Sequence, residues 1–247
     1  MKPPASYPSS PEPKDRLAVA LDFPSAKPAL DLVDRLADSC RWFKVGMELY
    51  YATGNSLIKD LRNRGFQVFL DLKLHDIPNT VAGGVRSATE AGASLLTIHA
   101  GGGPAMMAAA AEAAAAPGAP RLLAVTVLTS MDANELTAVG VACSPAEQVI
   151  RLATLAKRAG INGLVCSAEE ISPLRTELGN ETMLVIPGIR PSGSDIGDQK
   201  RIASPGVAIE RGASMLVVGR PITRAADPAK AAESILDEIV RASRPLS

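Results

Sequence analysis

Short, nearly continuous apolar runs recur along the chain, each followed by a turn and a stretch with helical spacing. They occupy residues 17–21, 42–45, 68–72, 95–98, 122–128, 163–165, 183–186 and 215–218. Alternating apolar and polar positions would mark a half-solvated sheet. Nearly continuous runs of three to seven residues instead mark parallel strands covered by helices on their outer side. Between the runs lie amphipathic or alanine-rich stretches with recognisable ends. Ser144-Pro145-Ala146-Glu147 supplies a cap, a first-turn proline and an early acid, and Gly160 closes that helix. Residues 167–178, interrupted by Pro173, behave similarly, as do 204–211 and 227–242. Residues 108–116 are almost all alanine, the best helix former, and Pro117-Gly118 stops them, which predicts a surface helix rather than a linker.

Eight strand–helix units with no long linker predict an α/β protein, a single (β/α)8 TIM barrel over residues 16–247. A doubly wound open sheet alternates in the same way. The turn after the first strand, Asp22-Phe23-Pro24-Ser25, lacks the glycine fingerprint of a dinucleotide-binding sheet. Residues 1–15 carry five prolines and three serines without an apolar run, and read as a disordered tail rather than a leader or anchor.

Polar residues gather where the strands end: Asp22, Lys44, Asp71 with Lys73, His99, Thr129 with Ser130, Arg190 and Arg220. Barrel enzymes keep their active sites at those ends. Asp71 and Lys73 lie two apart on a strand and so share a face, with Leu70 and Leu72 turned toward the helices. Among hydrophobic neighbours such charges are costly unless paired or functional. Lys44 ends the adjacent strand, and Asp76 follows just before the bend at Pro78. The product is an expected Lys–Asp–Lys–Asp array in which each charge supports its neighbours' ionised forms.

Val218-Gly219-Arg220-Pro221 falls after the eighth strand, where barrels often hold phosphate. The long segment from Pro187 through Arg190 and Gly193 to Gln199 suits a lid over a ligand. His99 with Ala100-Gly101-Gly102-Gly103 lacks the Lys-Ser/Thr of a phosphate loop, and reads as a packed histidine before a tight turn.

Composition narrows the partners. Lys+Arg and Asp+Glu balance at 26 each, so the chain exerts no long-range pull on nucleic acid or anionic membrane. Two histidines and three scattered cysteines make a zinc cluster improbable, and the cysteine usage fits a reducing cytoplasm. No run approaches the ~20 apolar residues of a membrane helix. A soluble cytoplasmic protein with a small phosphate-bearing ligand is expected.

The string Asp71-Leu72-Lys73-Leu74-His75-Asp76-Ile77-Pro78-Asn79-Thr80 resembles the bacterial form of the orotidine 5′-phosphate decarboxylase family. The likeness extends through Ala20-Leu21-Asp22, Phe43-Lys44-Val45-Gly46, the segment 125–130, Pro187-Gly188-Ile189-Arg190, Gly197-Asp198-Gln199 and Gly219-Arg220-Pro221. The stretch at 100–103 and the proline-rich tail depart from the family pattern. The resemblance implies a cofactor-free and metal-free decarboxylase acting in pyrimidine synthesis. It implies that Lys73 donates a proton to C6 of the pyrimidine, that Asp71 lies by the substrate carboxylate, and that Lys44 and Asp76 complete the array. It further implies that Asp22 and Lys44 contact the ribose, Thr129 and Ser130 the base, and Arg190, Gln199, Gly219 and Arg220 the phosphate side. A homodimer is implied, with Asp76 and Thr80 reaching the neighbouring subunit's site. The nearest rivals are a Mg2+-dependent sugar-phosphate decarboxylase or aldolase of the same superfamily, and a catalytically silent phosphate-binding barrel.

Overall fold

The computed structural model describes residues 11–191 and 203–244. Eight parallel strands close into a barrel in chain order: β1 Leu17–Ala20, β2 Trp42–Gly46, β3 Gln67–Leu74, β4 Leu95–His99, β5 Arg121–Val125, β6 Gly163–Val165, β7 Met183–Ile186 and β8 Met215–Val218. Leu17 of β1 pairs with Leu216 of β8, which closes the sheet and excludes the open doubly wound alternative. Helices α1 Ala26–Leu36, α2 Met47–Thr53, α3 Asn55–Asn63, α4 Pro78–Ala91, α5 Gly103–Ala113, α6 Ala133–Ala138, α7 Pro145–Arg158, α8 Ile171–Leu178, α9 Pro205–Glu210, α10 Arg220–Thr223 and α11 Pro228–Ala242 follow the strands. No described helix is long and apolar enough to cross a membrane.

The strand parity makes two cores. One set of alternate positions, including Leu17, Val19, Phe43, Val45, Val68 and Leu70, packs outward against the helices. Ala18, Ala20, Trp42, Phe69, Leu95, Leu123, Met183, Val185, Met215 and Val217 fill the barrel interior. Continuing that inner parity two residues past the last apolar layer reaches Asp22, Lys44, Asp71 and Gly219, so the apolar floor itself aims the polar groups into the mouth.

The helix ends follow the sequence signals. Ser144 caps α7 through Glu147 N, with Glu147 bonded back to Ser144 N, and Ser204 and Asp227 cap α9 and α11. The alanine-rich helix starts earlier than its alanines, at Gly103, and buries Met106, Met107 and Ala110. Helix α8 begins only at Ile171, because Glu170 turns back to accept the Ser167 amide at 2.6 Å.

Two expectations shift. Strand β5 ends at Val125 although the apolar run continues to Leu128; Thr126 and Val127 stay buried without extending the ladder beyond Val125. The expected tail also stops short of Asp15. Pro13–Asp15 forms a turn of 3₁₀ helix, and Asp15, only 3% exposed, accepts bonds from Arg41 at 2.7 Å and Trp42 Nε1 at 3.4 Å. These partners cover the barrel floor and hold the residues just before β1. Residues 1–10 lie outside the described residues.

Candidate active site

Strand β3 does not end as a regular strand. Phe69 and Leu70 pair with Leu95 and Leu96, and the next pair is Leu74 with Ile98, so four residues of β3 span two of β4. The surplus forms a bulge in which Lys73 has φ of +50°, the only described residue other than glycine with positive φ. A left-handed lysine is strained by ~1–3 kcal/mol unless its surroundings enforce it. Bulges of this kind re-aim side chains beside active sites. Here the bulge turns the Lys73 ammonium back over Asp71, with Nζ 2.9 Å from Oδ1.

The other Asp71 oxygen, Oδ2, faces Lys44 Nζ at 3.6 Å, and Lys44 Nζ lies 2.9 Å from Asp22 Oδ1. A continuous alternating row, Asp22–Lys44–Asp71–Lys73, therefore crosses the mouth of β1, β2 and β3. Gly46 is part of this arrangement: a Cβ there would stand 3.1 Å from Lys44 Nζ. Burial alone would raise the Asp71 pKa. The Lys44 and Lys73 ammoniums, with bonds from Lys73 and Thr97, outweigh it and hold the carboxyl below its ordinary value of 3.8.

Desolvating each ion costs several kcal/mol, while a charge pair at 4 Å contributes about 4 kcal/mol at an effective dielectric near 20. The two nearly cancel, so stability alone gives little reason to keep four charges on an apolar floor. Their exposure also rises toward the ends of the row: side-chain accessibility is 13% for Asp71, 11% for Lys44, 28% for Lys73 and 62% for Asp22.

These residues line one side of a cleft of about 770 Å3, a volume suited to a small organic ligand. Phe69, Val125, Val165 and Val217 form its floor, and Thr129 stands at its edge. Farther round the rim come Arg190, after β7, and Gly219 with Arg220, after β8 and beside the Asp22 end of the row. In a ring of eight strands β7 stands opposite β3, so Arg190 lies across the mouth from the array, with its guanidinium donating to Ile189 O at 2.8 Å. Arg190 is 9% exposed, and its backbone N–H donates to Ala203 O at 2.9 Å, fixing it where Ile189 bridges Ala203.

Of the expected site residues, the structure brings Asp22, Lys44, Asp71, Lys73, Thr129, Arg190, Gly219 and Arg220 to one cleft. Three do not join them within the chain. Ser130 is exposed beyond the cleft. Asp76 and Thr80 are exposed at the start of α4, where Asp76 Oδ1 accepts the Ile77 amide at 2.7 Å. The turn after Leu74 carries both outward, and Asp22 extends the row at its other end, beside Lys44. Gln199 and the tip of the expected lid lie outside the described residues.

The structure adds groups that the sequence reading passed over. Thr97 is fully buried on β4 and bonds to both Asp71 and Lys73. Cys166, Phe23 and Arg224 also line the cleft. His99 was expected to pack, and it stacks on His75 with centroids 5.3 Å apart. Burial, then His75 and Lys73, lower its pKa.

Residues 15–235 match the family described as orotidine 5′-phosphate decarboxylase / HUMPS. The chain belongs to that family. An orotidine 5′-phosphate decarboxylase of Mannheimia succiniciproducens is 50% identical over 223 residues, covering 90% of this chain and 95% of the relative. One from Vibrio campbellii is 51% identical over 227 residues, covering 91% and 97%. The crystal structure of the orotidine 5′-phosphate decarboxylase from Lactobacillus acidophilus superimposes with a TM-score of 0.81 at 40% identity, covering 90% of this chain and 98% of that one.

Proposed function

We propose that this chain decarboxylates orotidine 5′-phosphate to uridine 5′-phosphate and CO2 in the cytoplasmic synthesis of pyrimidines, without cofactor or resident metal. The observation that carries this is the alternating Asp22–Lys44–Asp71–Lys73 row on one side of the cleft, with Arg190 and Arg220 lining the same cleft after β7 and β8. Family membership and curated relatives covered almost end to end support it.

In this reading the phosphate lies against Arg190, Arg220 and the Gly219 backbone, where charge-assisted bonds hold it. The neighbours of Gly219 leave space there, since an added Cβ would meet nothing closer than 3.6 Å. The ribose lies over Asp22 and Lys44, and Thr129, at the edge of the cleft, addresses the base. The pyrimidine C6 then falls at the Asp71–Lys73 end. Loss of CO2 leaves an electron pair on C6. The Lys73 ammonium is fixed beside that position, stabilises the developing charge, and then transfers its proton to C6. Asp71 stands beside the departing carboxylate and disfavours the bound substrate more than the transition state. Phosphate contacts remote from C6 add binding energy that holds the reacting end in place.

The test is loss of the orotate ultraviolet chromophore when the EDTA-treated protein meets orotidine 5′-phosphate. Full activity after chelation is expected. An enzyme that stays silent until Mg2+ is restored would move the assignment to the sugar-phosphate branch.

We also propose a homodimer in which Asp76 and Thr80 complete the partner's site. Their exposure at the start of α4, beside Ile77 at 67% exposure, supports this. Lys73→Ala and Asp76→Ala proteins should each be nearly inactive. In a mixed dimer one site takes both lesions and the other none, so co-refolding equal amounts should restore about a quarter of wild-type activity. Mixed dimers as dead as their parents would place Asp76 in its own subunit's site.

A further inference from the structure

Thr97 sits in the apolar run Leu95-Leu96-Thr97-Ile98 of β4 and is 0% exposed. Its hydroxyl makes two bonds across the bulge of β3. The Lys73 backbone N–H donates to Thr97 Oγ1 at 2.8 Å, and Thr97 Oγ1 donates to Asp71 Oδ1 at 2.9 Å. That same Asp71 oxygen receives the Lys73 ammonium at 2.9 Å. Regular pairing of β3 with β4 lapses between Leu70 and Leu74, so the Lys73 amide has lost its ladder carbonyl. The threonine hydroxyl takes the place of that carbonyl, at the one described residue other than glycine that has positive φ.

We propose that Thr97 is a positioning residue for the decarboxylation: its hydroxyl locks the bulge that presents the Lys73 ammonium and fixes the Asp71 carboxylate beside it. This rests on the reading of Asp71 and Lys73 given above. The hydroxyl has one proton, and it goes to Asp71, so a lone pair of the same oxygen accepts the Lys73 N–H and ties that residue to β4. A carboxylate anchored on one oxygen by both Thr97 and Lys73, and on the other by Lys44, has a single orientation. Serine retains both bonds at this position. Valine keeps the branched shape and removes both.

The experiment compares Thr97→Val, Thr97→Ser and the unaltered enzyme for kcat, KM for orotidine 5′-phosphate, and Tm. Positioning predicts that Thr97→Val lowers kcat by about tenfold or more while KM moves less than about threefold, the loss falling on geometry needed only in the transition state. Thr97→Ser should keep kcat within about threefold of the parent, because the serine hydroxyl can make both bonds. If Thr97→Val does not fold, Thr97→Ala against Thr97→Ser reads the same hydroxyl. The inference is overturned if Thr97→Val retains full kcat, or if Thr97→Ser falls as far as Thr97→Val, which would leave the residue a packing role. Lys73→Ala and Asp71→Ala run alongside separate the two claims. Dead controls with an active Thr97→Val defeat the positioning role alone, and active controls defeat the array itself.

Discussion

At the N-terminal end of the barrel, Arg175 donates to the carbonyls of Gly179, Thr182 and Gly212 and to the Ser214 hydroxyl, tying the chain ahead of β7 to that ahead of β8. Arg16 likewise donates to Ala213 O at 2.6 Å. At the C-terminal end, Lys44 and Lys73 donate instead to carboxylates, in a row that opens on a cleft. Both ends hold part-buried cations on an apolar barrel. For Arg175 and Arg16 the partners are mostly backbone carbonyls, so each cation ties loops of the fold together. At the top the partners are other charges, whose mutual attraction roughly offsets their desolvation. The difference separates stability from chemistry along one axis, as barrels generally do.

Exchanging one cation at each end should break the molecule in two distinct ways. Lys73→Ala should lower kcat by on the order of 10⁴-fold, the combined scale of a lost general acid and a lost electrostatic partner. Its Tm should shift by no more than about 3 °C, because Asp71 keeps Lys44 and Thr97. Arg175→Met should do the reverse, with Tm falling by about 5–10 °C as buried carbonyls lose their donor, and kcat per folded molecule unchanged. Thermal melts and initial rates on the same preparations check both. A Lys73→Ala protein that melts like Arg175→Met would mean that the array is structural.

The comparison also explains what the sequence made visible. Strand positions were legible because burial on both faces leaves continuous apolar runs; the ends of those runs marked Asp22 and Lys44, and the two-residue period of β3 placed Asp71. The same signal overran β5, since Val127 stays buried beyond the last paired residue. The bulge was not legible. A lysine at positive φ carries no glycine mark, and the two-residue rule for strands reached the right face for Lys73 through the wrong geometry. Thr97 was hidden because one threonine in a strand reads as ordinary β propensity, and its partners lie 24 and 26 residues away. Arg175 was equally invisible, its role depending on carbonyls that only tertiary structure brings together.

A smaller effect sharpens the comparison through pH. The Asp71 pKa is depressed in the folded chain, so its contribution to stability is present above its ordinary 3.8 and is lost as pH falls through the folded value. His99 is held below its ordinary 6.5 by burial, then by His75 and Lys73. The unfolded chain therefore binds that proton first, and stability should decline as pH drops from about 6.5 toward the folded value. His99→Gln should flatten the dependence of Tm on pH between about 7 and 5.5, by roughly 1–3 °C. An unchanged slope would assign that titration elsewhere.

The central claim is that the top of the barrel stabilises an electron pair on C6 and that Lys73 delivers the proton. A site that does so must also run that last step backwards, removing the C6 proton of bound uridine 5′-phosphate and returning one exchanged with solvent. Proton NMR of uridine 5′-phosphate held with the enzyme in D2O tests this without requiring any CO2 loss. The account predicts that the C6–H signal decays with the unaltered protein and with Arg175→Met, and persists with Lys73→Ala. Exchange that proceeds equally well in Lys73→Ala would contradict it.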